Sequence, residues 1–118
     1  MIPYSPSIRI ENLLYISGQV GINPDTLNLA NTNFETEVRQ VMSNLQTQLT
    51  THGLTLNDLV STIIYLTDMK NYAALNEIYG SYFKDKYPTR TCIAVAELPA
   101  KASVEISGIA HFKNDNKI

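Results

Sequence analysis

The run Leu59-Val60-Ser61-Thr62-Ile63-Ile64-Tyr65-Leu66 is β-branched and apolar at odd and even positions alike. A half-solvated strand alternates between apolar and polar residues, so a run without alternation marks a strand covered on both faces. Both faces of that strand must therefore find a cover. Val38, Val41, Met42, Leu45 and Leu49 recur at helical spacing together with Phe34, which predicts one amphipathic helix. Its punctuation is clear: Thr32 and Glu35 fit a capping box, Glu35 and Glu37 place negative charge in the first turn, and Gly53 can take the left-handed conformation that ends a helix. A second helix is capped by Asp68 or Asn71 and carries Tyr72, Leu75, Ile78, Tyr79, Tyr82 and Phe83 on one stripe. Lys84, Asp85 and Lys86 form its solvated end, and Pro88 prevents continuation.

Ile8 to Gln19 reads as a hairpin, Thr91 to Ala96 as a strand, Leu98-Pro99-Ala100 as a turn and Ser103 to Phe112 as the last strand. The order is hairpin, helix, strand, helix and two strands, an α+β layer with two helices on one sheet face. Two helices cover one face only, so the apolar residues on the other predict self-association. Residues 1–118 are expected to form a single domain, with 113–118 a frayed tail.

Composition narrows the function. A net charge of −2 argues against a nucleic-acid or membrane-surface partner, whose electrostatic footprint is basic. One cysteine cannot form an internal disulfide, and with two histidines it supplies a zinc site poorly, so no metal is expected. The start Met1-Ile2-Pro3-Tyr4-Ser5 has no basic segment followed by an apolar one, which predicts no signal peptide and a cytoplasmic protein.

Period two puts Arg90 and Cys92 on one side of their strand, while Glu105 and Ser107 share a side of the last strand opposite to Val104 and Ile106. Arg90 follows the fixed backbone of Pro88 at the strand's mouth. It is either a surface or salt-bridge residue or a planar donor that grips a carboxylate. A guanidinium cannot act as an acid or base at neutral pH, so a functional Arg90 holds substrate. Glu105 is either a solvated strand residue or a group that aligns a water and shuttles a proton. Cys92 reads as a small buried filler, Tyr4 as a packing residue with a polar tip, Ser17 as a strand-end cap, and Asn76 as a hydrogen-bond partner of a neighbouring loop.

Taken in order, Pro3-Tyr4-Ser5, Ile16-Ser17-Gly18-Gln19, Asn44-Leu45, Leu66-Thr67-Asp68-Met69, Asn76-Glu77-Ile78-Tyr79, Pro88-Thr89-Arg90-Thr91-Cys92 and Val104-Glu105-Ile106 resemble the reactive intermediate deaminase family (RidA, formerly YjgF). The resemblance runs from about Pro3 to Phe112. It implies a chorismate-mutase-like α+β subunit with a mixed sheet, a homotrimer whose sheets close a barrel, and ligand clefts between subunits. It also implies cofactor-free hydrolysis of 2-iminobutanoate or 2-iminopropanoate, released by pyridoxal-phosphate dehydratases, to 2-oxo acid and ammonium.

By position, Arg90 matches the arginine that grips the substrate carboxylate, and Glu105 the acid that orients water. Cys92 matches a cysteine whose backbone lines the cleft; Tyr4, Ser17 and Asn76 match residues that shape the pocket. The chain departs from the family pattern at Ile2, where Gly usually precedes Pro-Tyr, at Thr91 in place of Ser, and at Ser107, where a second Glu is frequent. The alternative from another class is a non-catalytic binder of 2-oxo acids or similar small carboxylates. A ribonuclease, reported for some relatives, is disfavoured by the charge.

Overall fold

The computed structural model describes residues 1–113. Beyond Lys113 the expected frayed tail lies outside the described residues. Five strands form one mixed sheet: β1 (Ser7–Ile10), β2 (Leu13–Gln19), β3 (Leu59–Leu66), β4 (Thr89–Ala94) and β5 (Val104–His111), in the spatial order β1-β2-β5-β3-β4. β3 and β4 run parallel and the other pairs antiparallel. Helices α1 (Phe34–Thr51) and α2 (Tyr72–Gly80) pack on the same side of the sheet. Because β3 and β4 are parallel, the chain must cross over between them, and α2 is that crossover.

The core between sheet and helices takes Leu14 and Ile16 from β2, Ile64 and Leu66 from β3, and Val104, Ile106 and Ala110 from β5. It takes Val38, Val41, Met42, Leu45 and Leu49 from α1 and Leu75, Ile78 and Tyr79 from α2. The alternate residues of the strands face the other way. There Ile8, Tyr15, Ile63 and Ile93 stay exposed, so the side without helices presents an apolar surface, as the unalternating β3 run requires.

The helix ends refine the sequence reading. Asn33, not Thr32, caps α1: its backbone is extended and its Oδ1 accepts from the Thr36 N–H at 2.8 Å, so the capping box expected of Thr32 and Glu35 does not form. Gly53 lies at φ 75, with the Gly53 and Leu54 N–H groups returning to the carbonyls of Thr50 and Leu49, the hydrogen-bond pattern of a Schellman stop. Asp68 caps a short turn, Met69–Asn71, ahead of α2. α2 itself stops at Gly80 rather than running on to Lys86. The Ser81 hydroxyl takes the Ile78 carbonyl and Phe83 bonds back to Gly80, so Phe83 reaches the core from a turn. β4 opens two residues before the expected Thr91. Among the described residues, no helix is long and apolar enough to cross a membrane.

Candidate active site

Arg90 sits near the start of β4, opposite Thr62 of β3, on the helix-covered face. Its Nη1 donates to the Asn76 Oδ1 at 2.8 Å and its Nη2 to the Tyr72 hydroxyl at 3.1 Å. Both acceptors belong to α2, one turn apart along the same side of the helix. The guanidinium carbon stands 5.5 Å and 5.6 Å from the ring centroids of Tyr72 and Tyr79, within cation–π range. A guanidinium has five N–H donors, so this arrangement fixes its plane and leaves donors over. Among the described residues no carboxylate lies within ion-pair distance of it.

The support beneath Arg90 is itself fixed. The Tyr79 hydroxyl shares a hydrogen bond of 2.8 Å with Thr62 Oγ1, a buried pair that ties α2 to β3. Burial pushes the Tyr79 phenol above its ordinary value, against the smaller effects of the Thr62 hydrogen bond and the Arg90 charge. Beside the guanidinium opens a groove of ≈ 330 Å³ lined by Asn76, Tyr79, Gly80, Tyr87, Pro88 and Arg90. Cys92, two residues along β4, packs against the core. Burial raises its thiol pKa and the nearby Arg90 charge only partly opposes this, so the thiol is not activated as a nucleophile.

Glu105 is elsewhere. It pairs with Tyr65 of β3, an odd number of residues from Thr62, and so points to the sheet face without helices. Ser17 and Gly18 share that region, where the β2–β5 register shifts between Ile16 and Gln19. A Cβ at Gly18 would run into the Glu105 carboxylate; the glycine is what lets the acid lie against β2. Burial raises the Glu105 pKa above the usual carboxylate range. The Ser17 hydroxyl donates to the Ser5 carbonyl at 2.7 Å, pinning the N-terminal segment that carries Tyr4, and Tyr4 and Gly18 line one shallow cavity.

The candidate residues therefore fall into two groups. Arg90, Asn76 and Cys92 share the helix-covered face, and Tyr4, Ser17 and Glu105 gather around the Gly18 bulge. Sequence reasoning assigned Tyr72 to a core stripe, yet its hydroxyl holds Arg90; a tyrosine on the exposed shoulder of a helix four residues before Asn76 was the available signal. It gave no role to Gly18 against Glu105. Among the described residues no cluster of three or more His, Cys, Asp or Glu is arranged to hold a metal.

A family model described as endoribonuclease L-PSP matches residues 1–112. A RutC family protein of Aquifex aeolicus is 43% identical over 110 residues, 92% of this chain and 87% of the relative. The 2-iminobutanoate/2-iminopropanoate deaminase of Mus musculus is 38% identical over 108 residues, 92% of this chain and 80% of the relative. Among solved structures, RidA from the Antarctic bacterium Psychrobacter sp. superposes with a TM-score of 0.90 at 35% identity, covering 93% of this chain and 89% of that one. E. coli TdcF with bound serine superposes with a TM-score of 0.91 at 28% identity, covering 96% and 91%. With the model matching nearly the whole length and the two-helix, mixed-sheet architecture shared, the chain belongs to the endoribonuclease L-PSP family, the family of YjgF, RutC and RidA.

Proposed function

We propose that this protein hydrolyses small 2-imino acids and their enamines, of the 2-iminobutanoate and 2-iminopropanoate kind, to 2-oxo acid and ammonium. The observation that carries the reading is Arg90: a guanidinium held in plane by two neutral acceptors, with free donors, no acid partner among the described residues and a groove beside it. Such a group suits bidentate capture of a carboxylate. The imino acid relative from mouse supports the same substrate class.

An imine carbon next to a carboxylate is already electrophilic, so the task is orientation and a placed water. Arg90 holds the carboxylate. Glu105 orients water toward the C=N carbon and takes its proton as the C–O bond forms. That proton passes to the nitrogen, giving a carbinolamine. The proton of the new hydroxyl then moves to the nitrogen as well, so that the C–N bond breaks, ammonia leaves and the C–O bond becomes the carbonyl of the 2-oxo acid. A carboxyl whose pKa is raised by burial is better matched to carrying a proton near neutrality than an ordinary one. Tyr4, Ser17 and Asn76 shape the site, and Cys92 contributes backbone. No metal or cofactor enters these steps.

Within one chain the sheet separates Arg90 from Glu105, so a substrate touching both lies between Arg90 of one subunit and Glu105 of another. The apolar face bearing Tyr15, Ile63 and Ile93 is the surface that brings subunits together, and we propose a homotrimer. The same reading has the protein act in the cytoplasm, beside the dehydratases that generate its substrate.

A pyridoxal-phosphate threonine dehydratase coupled to this protein tests the reading. Faster 2-oxobutanoate release at catalytic amounts of protein is expected; no acceleration contradicts it. A second reading, a non-catalytic binder of small carboxylates, is favoured by the serine bound in the E. coli relative. Glu105→Gln separates the two, since loss of turnover with retained ligand affinity belongs to the enzyme alone.

A further inference from the structure

We infer that Glu37 of α1 is a positioning residue for the reaction: through the backbone of Ser103 it sets where the Glu105 carboxyl lies. That role builds on Glu105 as the acid that orients water, the reading proposed above.

Glu37 is 2% exposed, and an acidic side chain is almost never buried this fully without a partner. Its Oε2 accepts from the Ser103 N–H at 2.7 Å, and among the described residues no Lys or Arg lies within ion-pair distance of it. Ser103 is the residue before β5, two short of Glu105. Its carbonyl accepts from the Thr67 N–H at 3.2 Å, so both of its backbone groups are held.

The hold falls where the sheet is least paired. Val104 and Glu105 pair with Leu66 and Tyr65 of β3, but on the β2 side pairing ends at Ile106 opposite Gln19, past the bulge. The first two residues of β5 therefore have a ladder partner on one edge only. Just upstream, Ala100 and Lys101 lie at φ 59 and φ 60, the left-handed region that residues with a Cβ enter at a cost. A connection under such strain persists only where its surroundings fix it, and Glu37 fixes its far end.

The same residue braces β2. A Cβ at Gly21 would stand 2.9 Å from the Glu37 carbonyl oxygen and 3.1 Å from its Cγ, so the chain leaving β2 lies directly on Glu37. Two turns further along α1, the Asn44 Nδ2 donates to the Val20 and Ile22 carbonyls, each at 2.9 Å. α1 thus holds the ends of both strands between which the Glu105 carboxyl rests against Gly18.

The test measures kcat and KM for 2-iminopropanoate, generated from alanine by an amino-acid oxidase. Glu37→Met keeps the side chain's length and removes the acceptor. Its kcat is expected to fall about tenfold, with KM changed less than about twofold because the Arg90 clamp is untouched. Glu37→Gln keeps an oxygen for the Ser103 N–H and is expected to bring kcat back to within about twofold of the wild type. In the Glu105→Gln background, Glu37→Met is expected to lower the residual kcat no further, since the group it positions is gone. Additive losses, or a kcat that Glu37→Met leaves unchanged, overturn the inference while leaving Glu105 in the reaction.

Hydrogen exchange on the wild type decides without any variant. The Ser103 amide is expected to exchange at least about a hundredfold more slowly than in an unfolded chain, and free-chain exchange there overturns the inference. A Glu105→Gln protein with full kcat removes Glu105 from the reaction and the positioning role with it, an outcome distinct from the others.

Discussion

Arg90 and Glu105 stand on opposite faces of one sheet, the first opposite Thr62 and the second opposite Tyr65 of the same strand, β3. A single chain thus cannot bring both to one small molecule, and catalysis that needs both needs two subunits. Arg90→Ala and Glu105→Gln subunits, each inactive alone, are expected to complement when dissociated together and reassembled. With random assembly of the proposed trimer, about a quarter of the sites pair an intact Arg90 with an intact Glu105, so about a quarter of wild-type activity should return. Activity that stays at the level of the separate variants contradicts a shared site.

Gly18 is the second handle on Glu105. A methyl at that position meets the carboxylate end of a flexible side chain, so Gly18→Ala is expected to fold but to displace the acid. We expect kcat to fall by about tenfold or more, with a smaller change in KM, because Glu105 acts on water rather than on substrate binding. Steady-state kinetics alongside a thermal melt check this, and an unaltered kcat removes the carboxylate from the reaction.

The raised pKa of Glu105 has a sign that stability measurements can read. Burial favours the neutral carboxyl in the folded protein, so the folded state holds its proton more tightly than the unfolded one. That contribution is complete below the ordinary glutamate value of about 4.3 and is lost as pH rises through the higher folded value. Glu105→Gln is therefore expected to be at least as stable as the wild type at pH 7, with the difference shrinking toward pH 4. Thermal melts across that range test it; a Gln variant less stable at pH 7 than the wild type would show the carboxylate to be favourably paired instead.

Asn76 holds the guanidinium without competing for it, because its oxygen is neutral. Asn76→Asp puts a negative charge where the 2.8 Å hydrogen bond now stands. The acid would occupy Arg90 and repel an incoming carboxylate, and KM is expected to rise about tenfold or more. An unchanged KM contradicts the clamp.

Thr62 and Tyr79 form the buried pair under the site. Thr62→Val strands the phenol, and a loss of about 1–3 kcal/mol is expected in urea denaturation. Adding Tyr79→Phe removes both partners, so the double variant should lose less than the sum of the two single losses. Strict additivity would mean that the hydroxyls do not interact.

Much of this architecture is legible in the chain because its signals are local. The bounds of β3 follow from one uninterrupted run, and α1 from its stripe and the left-handed Gly53. Thr32 and Asn33 are both competent caps, and only the backbone path selects Asn33. Tyr82 and Phe83 continue the periodicity of α2, but packing draws Phe83 into the core from a turn, so a helical pattern outlasts the helix. In the site, the parity that places Arg90 with Cys92 and Glu105 with Ser107 is readable strand by strand. Which faces these are depends on how β4 and β5 register on β3, a tertiary fact. The hold of Tyr72 on Arg90 and the approach of Glu105 to Gly18 join segments far apart in sequence, and no local pattern encodes either.

The grip of Arg90 on the acid group of a reacting imine is measured most directly by 2-oxobutanoate release in the dehydratase-coupled assay with Arg90→Ala, set against the wild type at matched assembly mass and melting temperature. The acceleration is expected to drop by about a hundredfold, the scale of losing a charge-assisted bidentate contact. An Arg90→Ala protein that speeds release as well as the wild type would contradict that grip.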